Sequence, residues 1–225
     1  MIKRFRVADI ARHTADDGLP DAGPAAATEH GPHRGKVVVA GTLSNLYAET
    51  TMIEIRPAAT ADAPALATLL HESVRRAGRA AYSEEECAAW SPSTPEPTRL
   101  AMAMAIVDPA GVFLLAVDAG LIVGFGNLGP TPDHLDMLYV RHDRIGQGIG
   151  SLLIAALEAE ARIRGALLLC TEASRLLRPR LVRLGYTQLE AEWVERQGVR
   201  IERFRMMKSL SAPAGEGQPS AEIAS

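Results

Sequence analysis

Residues 135–157 read LDMLYVRHDRIGQGIGSLLIAAL, and the reading of the whole chain turns on them. His134 to Val140 has the pattern of a strand, and after five connecting residues Gly146, Gly148 and Gly150 stand at alternate positions. Ile149, Leu152, Leu153, Ala156 and Ile163 then recur at helical spacing. This predicts a helix from Ser151 to about Arg164, ended by Gly165. The first amides of a helix lack intrahelical partners and lie at the positive end of its dipole. A strand, a glycine loop and a helix start therefore suit a phosphate or pyrophosphate. Glycine matters because a side chain there would hold the phosphates away. Arg141, His142 and Arg144 add positive charge to the same loop.

Spacing separates the nucleotide sites that use such a loop. A Walker A loop needs Gly-Lys-Ser/Thr, and here Gly150 is followed directly by Ser151. A dinucleotide-binding loop needs G-x-G-x-x-G. Ser151 occupies the place of the third glycine, and too little chain follows for a doubly wound domain. Glu172, ending the next predicted strand, is the one feature that keeps an NAD-dependent oxidoreductase open. A turn that is tight for packing reasons alone is the bland alternative.

Outward from the loop the pattern alternates. Met52–Arg56 sets Ile53 and Ile55 against Glu54 and Arg56, a strand; Thr60 is the expected N-cap of a helix reaching about Arg76. Ser83 with Glu86 forms a capping box for a short helix closing near Trp90, and a third helix spans Thr98–Val107. Gly111–Val117 and Leu121–Leu128 form a hairpin across Asp118-Ala119-Gly120. After the central helix come a strand at Ala166–Thr171 and a short helix at Pro179–Leu184. A final hairpin, Thr187–Arg196 with Val199–Met207, turns at Gln197-Gly198. The order is β-α-α-α-β-β-β-α-β-α-β-β, an α/β chain without internal repeats.

The ends read differently. Residues 14–35 are dense in Gly, Pro, Ala and Asp without period, so residues 1–51 are expected to be a disordered or weakly structured extension, with a short strand conceivable at Lys36–Ala40. The domain spans residues 52–210, and translation starting at Met52 is an expectation that follows. Residues 211–225 are a polar, Pro- and Gly-bearing tail expected to be disordered.

The 225 residues are 47% hydrophobic, ample for a core, with a formal net charge of −3, which excludes general nucleic-acid or anionic-membrane binding. No apolar run reaches the ~18–20 residues of a membrane span, and no signal-peptide pattern opens the chain. The two cysteines, Cys87 and Cys170, have no ligand spacing, so a reducing, cytoplasmic setting and no metal are expected; His30 and His33 alone would make a poor site.

Taken together, these segments resemble the GNAT superfamily of N-acetyltransferases, whose central motif is a strand, then Gln/Arg-x-x-Gly-x-Gly/Ala, then a helix. Gly148-Ile149-Gly150 fall on the Gly-x-Gly, Leu138-Tyr139-Val140 on the strand end, and Val140-Arg141-His142-Asp143 where members often read V-x-P-x. The likeness covers most of Met52 to Leu210. Tyr82-Ser83 through Ala88-Ala89-Trp90, Leu135 to Val140, Glu172-Ala173-Ser174 and Phe204-Arg205-Met206 are similar, in order, to bacterial YafP-like acetyltransferases.

The resemblance implies a mixed, bent sheet of about seven strands flanked by helices, with acetyl-CoA wedged between two splayed central strands. It implies transfer of an acetyl group to a primary amine of a small molecule or peptide, by direct attack in a ternary complex. Arg144, Gly146, Gln147, Gly148, Ile149, Gly150 and Ser151 would hold the pyrophosphate. Backbone groups of Leu138, Tyr139 and Val140 would meet the pantetheine and thioester, and Ser174 stands where many members use Asn on the pantetheine arm. Two positions depart from the family. Ile145 replaces the Gln/Arg of the loop, and Leu181 stands where many members place a Tyr that protonates the departing thiolate. Both motivate a second reading, a non-catalytic acyl-CoA-binding or sensing protein.

Transfer needs a neutral amine, so a base must take a proton. Asp136 is the first candidate; His134, two residues away on the same face of a regular strand, and Glu172 are the others. Each also has a structural reading as a hydrogen-bonded surface or strand-edge group. Tyr82 and Trp90 are candidate substrate-pocket residues, or else core aromatics, and Cys87 reads as small core filler. The last strands are the candidate surface for a homodimer.

Overall fold

The structure, a computed structural model, describes residues 3–6, 52–91 and 96–210. Its strands form two antiparallel sheets. The first has the order β1 (Lys3–Arg6), β2 (Met52–Pro57), β3 (Val112–Asp118), β4 (Leu121–Leu128), β5 (Leu135–Val140). The second has the order β6 (Leu168–Ala173), β8 (Val199–Ser209), β7 (Thr187–Arg196). The helices are α1 (Ala63–Glu72), α2 (Glu84–Trp90), α3 (Glu96–Val107), α4 (Ile149–Ile163) and α5 (Arg178–Arg183). The expected α/β architecture is therefore present, with seven strands from Met52 onward. β1 is an eighth strand that the patterning of the extension did not foretell. It pairs along β2 in the register Lys3↔Ile55 to Arg6↔Met52. The remainder of the extension, with Lys36–Ala40, His30 and His33, lies outside the described residues, as does the tail from Ser211. No helix among the described residues is long and apolar enough to cross a membrane.

Local chemistry sets most boundaries. Both hairpins turn on a residue pair with positive φ, Ala119-Gly120 (46° and 84°) and Gln197-Gly198 (51° and 78°), the mirror-image turns whose twist matches the flanking strands. The capping box of α2 is formed as expected: the Glu86 amide donates to Ser83 Oγ (3.1 Å) and the Ser83 amide to Glu86 Oε2 (2.7 Å). The expected cap at Thr60 is not. Residues Thr60–Asp62 form a 3-10 turn in which Asp62 accepts from the Ala59 amide and both forks of Arg56, and those partners hold its carboxyl below the usual range. The single helix expected up to Arg76 is also interrupted. α1 ends at Glu72 and passes into a π-helical turn, Ser73–Ala77, then a 3-10 turn, Gly78–Ala80.

The two faces of the first sheet are covered by different helices. On one, α4 buries Ile149, Leu153, Ile154 and Leu157 against Ile53, Leu114, Val123 and Leu128. On the other, α1 and α3 bring Leu66, Leu69 and Met102 to Phe113, Leu115 and Phe125. Two strand glycines let α4 lie close: a Cβ at Gly126 would stand 2.9 Å from both Leu157 Cδ1 and the Met137 carbonyl, and one at Gly124 3.1 Å from Leu153 Cδ1.

Among the described residues the sheets are joined by backbone pairing at one point. His134 and Cys170 form an isolated parallel bridge, fastened by the Cys170 amide on the Asp133 carbonyl (2.8 Å), and beyond it β5 and β6 part. β5 is irregular just past this apex. Leu128 pairs with Leu135 but Asn127 with Met137, so Asp136 is the extra residue of a bulge. The Arg141 amide bonds the Val123 carbonyl, and the Met137 and Tyr139 carbonyls lie beside Gly126 and Gly124. In an antiparallel ladder the intervening residues face away, so the backbone groups of Leu138 and Val140 point into the gap between the sheets.

Candidate functional site

The parted strands open a cleft of about 490 Å³. Its floor at one end is the glycine loop. Gly146 and Gly148 have φ of 86° and 83°, which side-chain-bearing residues rarely adopt, and Gly148 is the N-cap of α4. The Ser151 and Leu152 amides both bond the Gly148 carbonyl, at 3.0 and 3.1 Å. The Ile149 and Gly150 amides, first in the helix, have no backbone partner among the described residues. They form a cradle for an anion. A Cβ at Gly150 would sit 3.6 Å from Val140 Cγ2, on the side where loop and strand meet.

Charge reaches this cradle from an unexpected element. Within the loop, Arg141 is taken up by Asp143 in a bidentate pair (2.8 Å each), which holds the Asp143 carboxyl down at about 2. Arg144 lines the cleft but donates to Asp118 Oδ2 at 3.0 Å, tying the loop to the end of β3. His142 Nε2 lies 3.1 Å from Arg76 and its Nδ1 4.0 Å from Glu72, so it links the loop to the π-helical turn. The cation beside the cradle is instead Arg180 of α5, and Arg183 of the same helix lines the cleft. Arg180 Nε donates to Ser151 Oγ at 2.7 Å, directly at the start of α4. Their i, i+3 spacing in a helix that follows a strand was the available signal. Replacing Arg180 with Ala is expected to weaken binding of a pyrophosphate-bearing ligand by about tenfold, the size of one charge-assisted hydrogen bond. Binding measured at several salt concentrations checks this, and the variant should also lose part of its salt dependence.

The other expected residues fall around this floor. Leu138, Tyr139 and Val140 form one wall, and Gly146, Gly148, Ile149, Gly150 and Ser151 line the loop end. Ser174 lines the opposite wall, and its Oγ accepts the Leu177 amide at 3.1 Å, capping the turn into α5. Gln147 is exposed and forms no part of the wall. Ile145 lines the cleft with an exposed apolar side chain and offers no hydrogen bond to an anion. The inner end is apolar: Val74, Ala77, Gly78, Tyr82, Cys87 and Trp90. Tyr82 and Trp90 meet edge to face at 5.6 Å. The Tyr82 hydroxyl donates to the Glu202 carbonyl and accepts the Arg175 amide, both at 2.8 Å. Tyr82 is thus both core and cleft wall; the two readings of it are not exclusive.

None of the three candidate bases lines the cleft. Asp136 is exposed on the bulge and accepts from Asn127 Nδ2 at 3.3 Å. His134 and Glu172 stand at the apex, with Nε2 3.1 Å from Oε2. Leu181 is fully buried in the core under α5 and offers no acid. The hydroxyl of nearby Tyr186 is buried without a hydrogen-bond partner, and burial together with Glu158 pushes its ionisation well above the usual range. Among the described residues no group of three or more His, Cys, Asp or Glu could hold a metal ion.

Residues 79–209 match the sequence model of the acetyltransferase (GNAT) domain. Among solved structures, the chain is 33% identical to a GCN5-related N-acetyltransferase from Rhodopseudomonas palustris, over 69% of this chain and 94% of that one, with a TM-score of 0.64. The PaiA N-acetyltransferase of Thermoplasma acidophilum, solved with coenzyme A, shares the fold at 21% identity over 70% and 98%, TM-score 0.56. The ribosomal-protein-alanine N-acetyltransferase of Brucella melitensis does so at 22% over 69% and 98%, TM-score 0.54. No curated protein matches the chain.

Proposed function

Because this chain belongs to the GNAT acetyltransferases, we propose that it binds acetyl-CoA in the cleft and passes the acetyl group to a primary amine of a small molecule or peptide. Transfer is by direct attack in a ternary complex. The observation that carries this reading is the meeting, in one cleft, of an anion cradle at the start of α4 with the unpaired backbone edge of β5. The Ile149 and Gly150 amides, with Arg180 and Arg183, would hold the pyrophosphate. The edge groups of Leu138 and Val140 are placed for the amides of the pantetheine arm. An N-H on that edge would also polarise the thioester carbonyl, an interaction that strengthens as negative charge develops on its oxygen.

Departure of the thiolate needs little help. A thiol ionises near pH ~8.5, far more readily than an amine or alcohol, so Leu181 in place of an acid does not block transfer. A covalent route through the cleft's own thiol is disfavoured. Cys87 is 2% exposed, a Cβ on Gly78 would stand only 3.1 Å from its Sγ, and burial pushes its ionisation up. Intact mass after incubation with acetyl-CoA alone should therefore be unchanged, and initial-rate lines against both substrates should intersect. Acetylation of Cys87 with parallel lines would contradict direct attack.

The second reading, an acyl-CoA-binding protein without turnover, draws on Ile145 in the loop and Leu181 in the core, and on a cleft wall that carries no carboxylate among the described residues. Release of free CoA in the presence of an amine separates the two. β7 has no strand on its outer edge among the described residues and leaves Leu189 and Trp193 about half exposed, which supports a homodimer through the last hairpin.

A further inference from the structure

We propose that His134 and Glu172 act as a base dyad, His134 taking the proton that the acceptor ammonium must lose and Glu172 holding the imidazole in place. The inference rests on the acyl-transfer reading above. The two residues come from different strands and meet only because β5 and β6 touch at the His134–Cys170 bridge, the apex from which the cleft opens. His134 Nε2 is 3.1 Å from Glu172 Oε2, and the side chains are 32% and 26% exposed. A carboxylate only accepts, so the pair puts the neutral ring's proton on Nε2 and leaves the lone pair on Nδ1, which has no partner among the described residues.

The pair lies at the apex, outside the lining of the cleft, on the sheet face that also carries the cleft's apolar inner end. On β8, alternate residues Ile201, Arg203, Arg205 and Met207 share a face, and the register sets Glu172 opposite Arg205. Ile201 packs with Val74, Tyr82 and Cys87, the residues of the cleft's inner end, so Glu172 faces that same side. Phe204 and Met206 point the other way, into the core shared with α4, whose N-terminus is the anion cradle. A thioester lying between the parted strands would thus have the cradle's helix on one face and the dyad on the other.

The charged surroundings suit the role. Glu172 meets the ring, Cys170 is the bridge partner of His134, Arg205 of β8 is the register partner of Glu172, and Asp133 and Asp136 flank His134 along the chain. Arg205 is held by Glu190 of β7, which leaves Glu172 to the imidazole. Asp136 is the weaker choice: a carboxylate is a poorer proton acceptor at neutral pH than an imidazole, and this one stands on the exposed bulge. The protons balance simply. One leaves the ammonium for Nδ1, directly or through water, and then passes to solvent. The nitrogen attacks the carbonyl carbon, the C–S bond breaks, and the second N–H proton ends on the CoA thiolate.

The test uses full-length His134→Gln, Glu172→Gln and Asp136→Asn proteins with acetyl-CoA and two acceptors. One is an aliphatic amine chosen by a screen with the unaltered protein, and the other an aromatic amine that is already neutral at neutral pH. Expected for His134→Gln is a loss of about 100-fold in kcat with the aliphatic amine, at unchanged acetyl-CoA affinity by calorimetry, and much less loss with the aromatic amine. Glu172→Gln should lose about tenfold in kcat with the aliphatic amine and much less with the aromatic one, because the imidazole loses the acceptor that fixes its Nε2 proton. Equal losses with both amines mean a structural brace, and full activity of His134→Gln beside a dead Asp136→Asn returns the role to Asp136; either overturns the dyad. If the unaltered protein binds acetyl-CoA yet acetylates no amine in the screen, the acyl-transfer reading falls and the dyad with it.

Discussion

Replacing Gly148 with Glu should cost at least about 100-fold in acetyl-CoA affinity while leaving the protein folded, a loss that equilibrium binding beside a thermal melt would measure. Two effects combine. Gly148 sits at φ 83° as the N-cap of α4, where any side chain adds strain of about 1–2 kcal/mol. The new carboxylate also stands at the positive end of the helix, beside the free Ile149 and Gly150 amides, and repels the phosphates they would hold. The same charge is favourable to the helix itself, which offsets part of the strain. Gly148→Ala carries the strain without the charge and should lose far less affinity. If both variants bind equally poorly, loop geometry rather than electrostatics governs the site.

Phe125→Ala should be the most damaging single change to the fold. Phe125 is fully buried on β4, stacked on Phe113 with centroids 5.6 Å apart and tilted on Tyr139 at 5.4 Å, beneath α1 and α3. Truncating a buried Phe costs about 3–5 kcal/mol, much of the ~5–15 kcal/mol that holds a domain together. For a chain of this size that corresponds to a fall in Tm of roughly 6–20 °C by calorimetric melt. Activity should fall with it even below the melt, since Tyr139 carries both the packing and the cleft wall. A fall of only a degree or two would mean that α1 and α3 close over the gap.

What the sequence could show was local. The glycine loop and α4 were legible because positive-φ glycines and a helical stripe announce themselves within a few residues, and the hairpins because their turns need Ala119-Gly120 and Gln197-Gly198. The capping box at Ser83 was legible for the same reason. Interruption of α1 by a π-helical turn was not, since its apolar spacing continues through Val74. The positive charge expected from Arg141 and Arg144 was misplaced because each finds an acid, Asp143 or Asp118, and only the second of these is distant in sequence. Arg180 reaches the cradle, and Arg183 the cleft wall, only because α5 folds over the start of α4. The apex is the least legible feature of all. The separation of His134 from Glu172 along the chain carries no spacing rule, and the bulge that leaves Asp136 without a register partner is a property of register between β4 and β5.

The central claim is that this cleft serves acyl transfer from acetyl-CoA. Its most direct test is to follow CoA release and product mass while the full chain is offered acetyl-CoA with a panel of alkyl, arylalkyl and peptide amines. The account predicts amine-dependent release of CoA matched by an acetylated product, and loss of both in Gly148→Glu. Tight binding of acetyl-CoA with no amine acetylated would contradict it and leave an acyl-CoA-binding protein in its place.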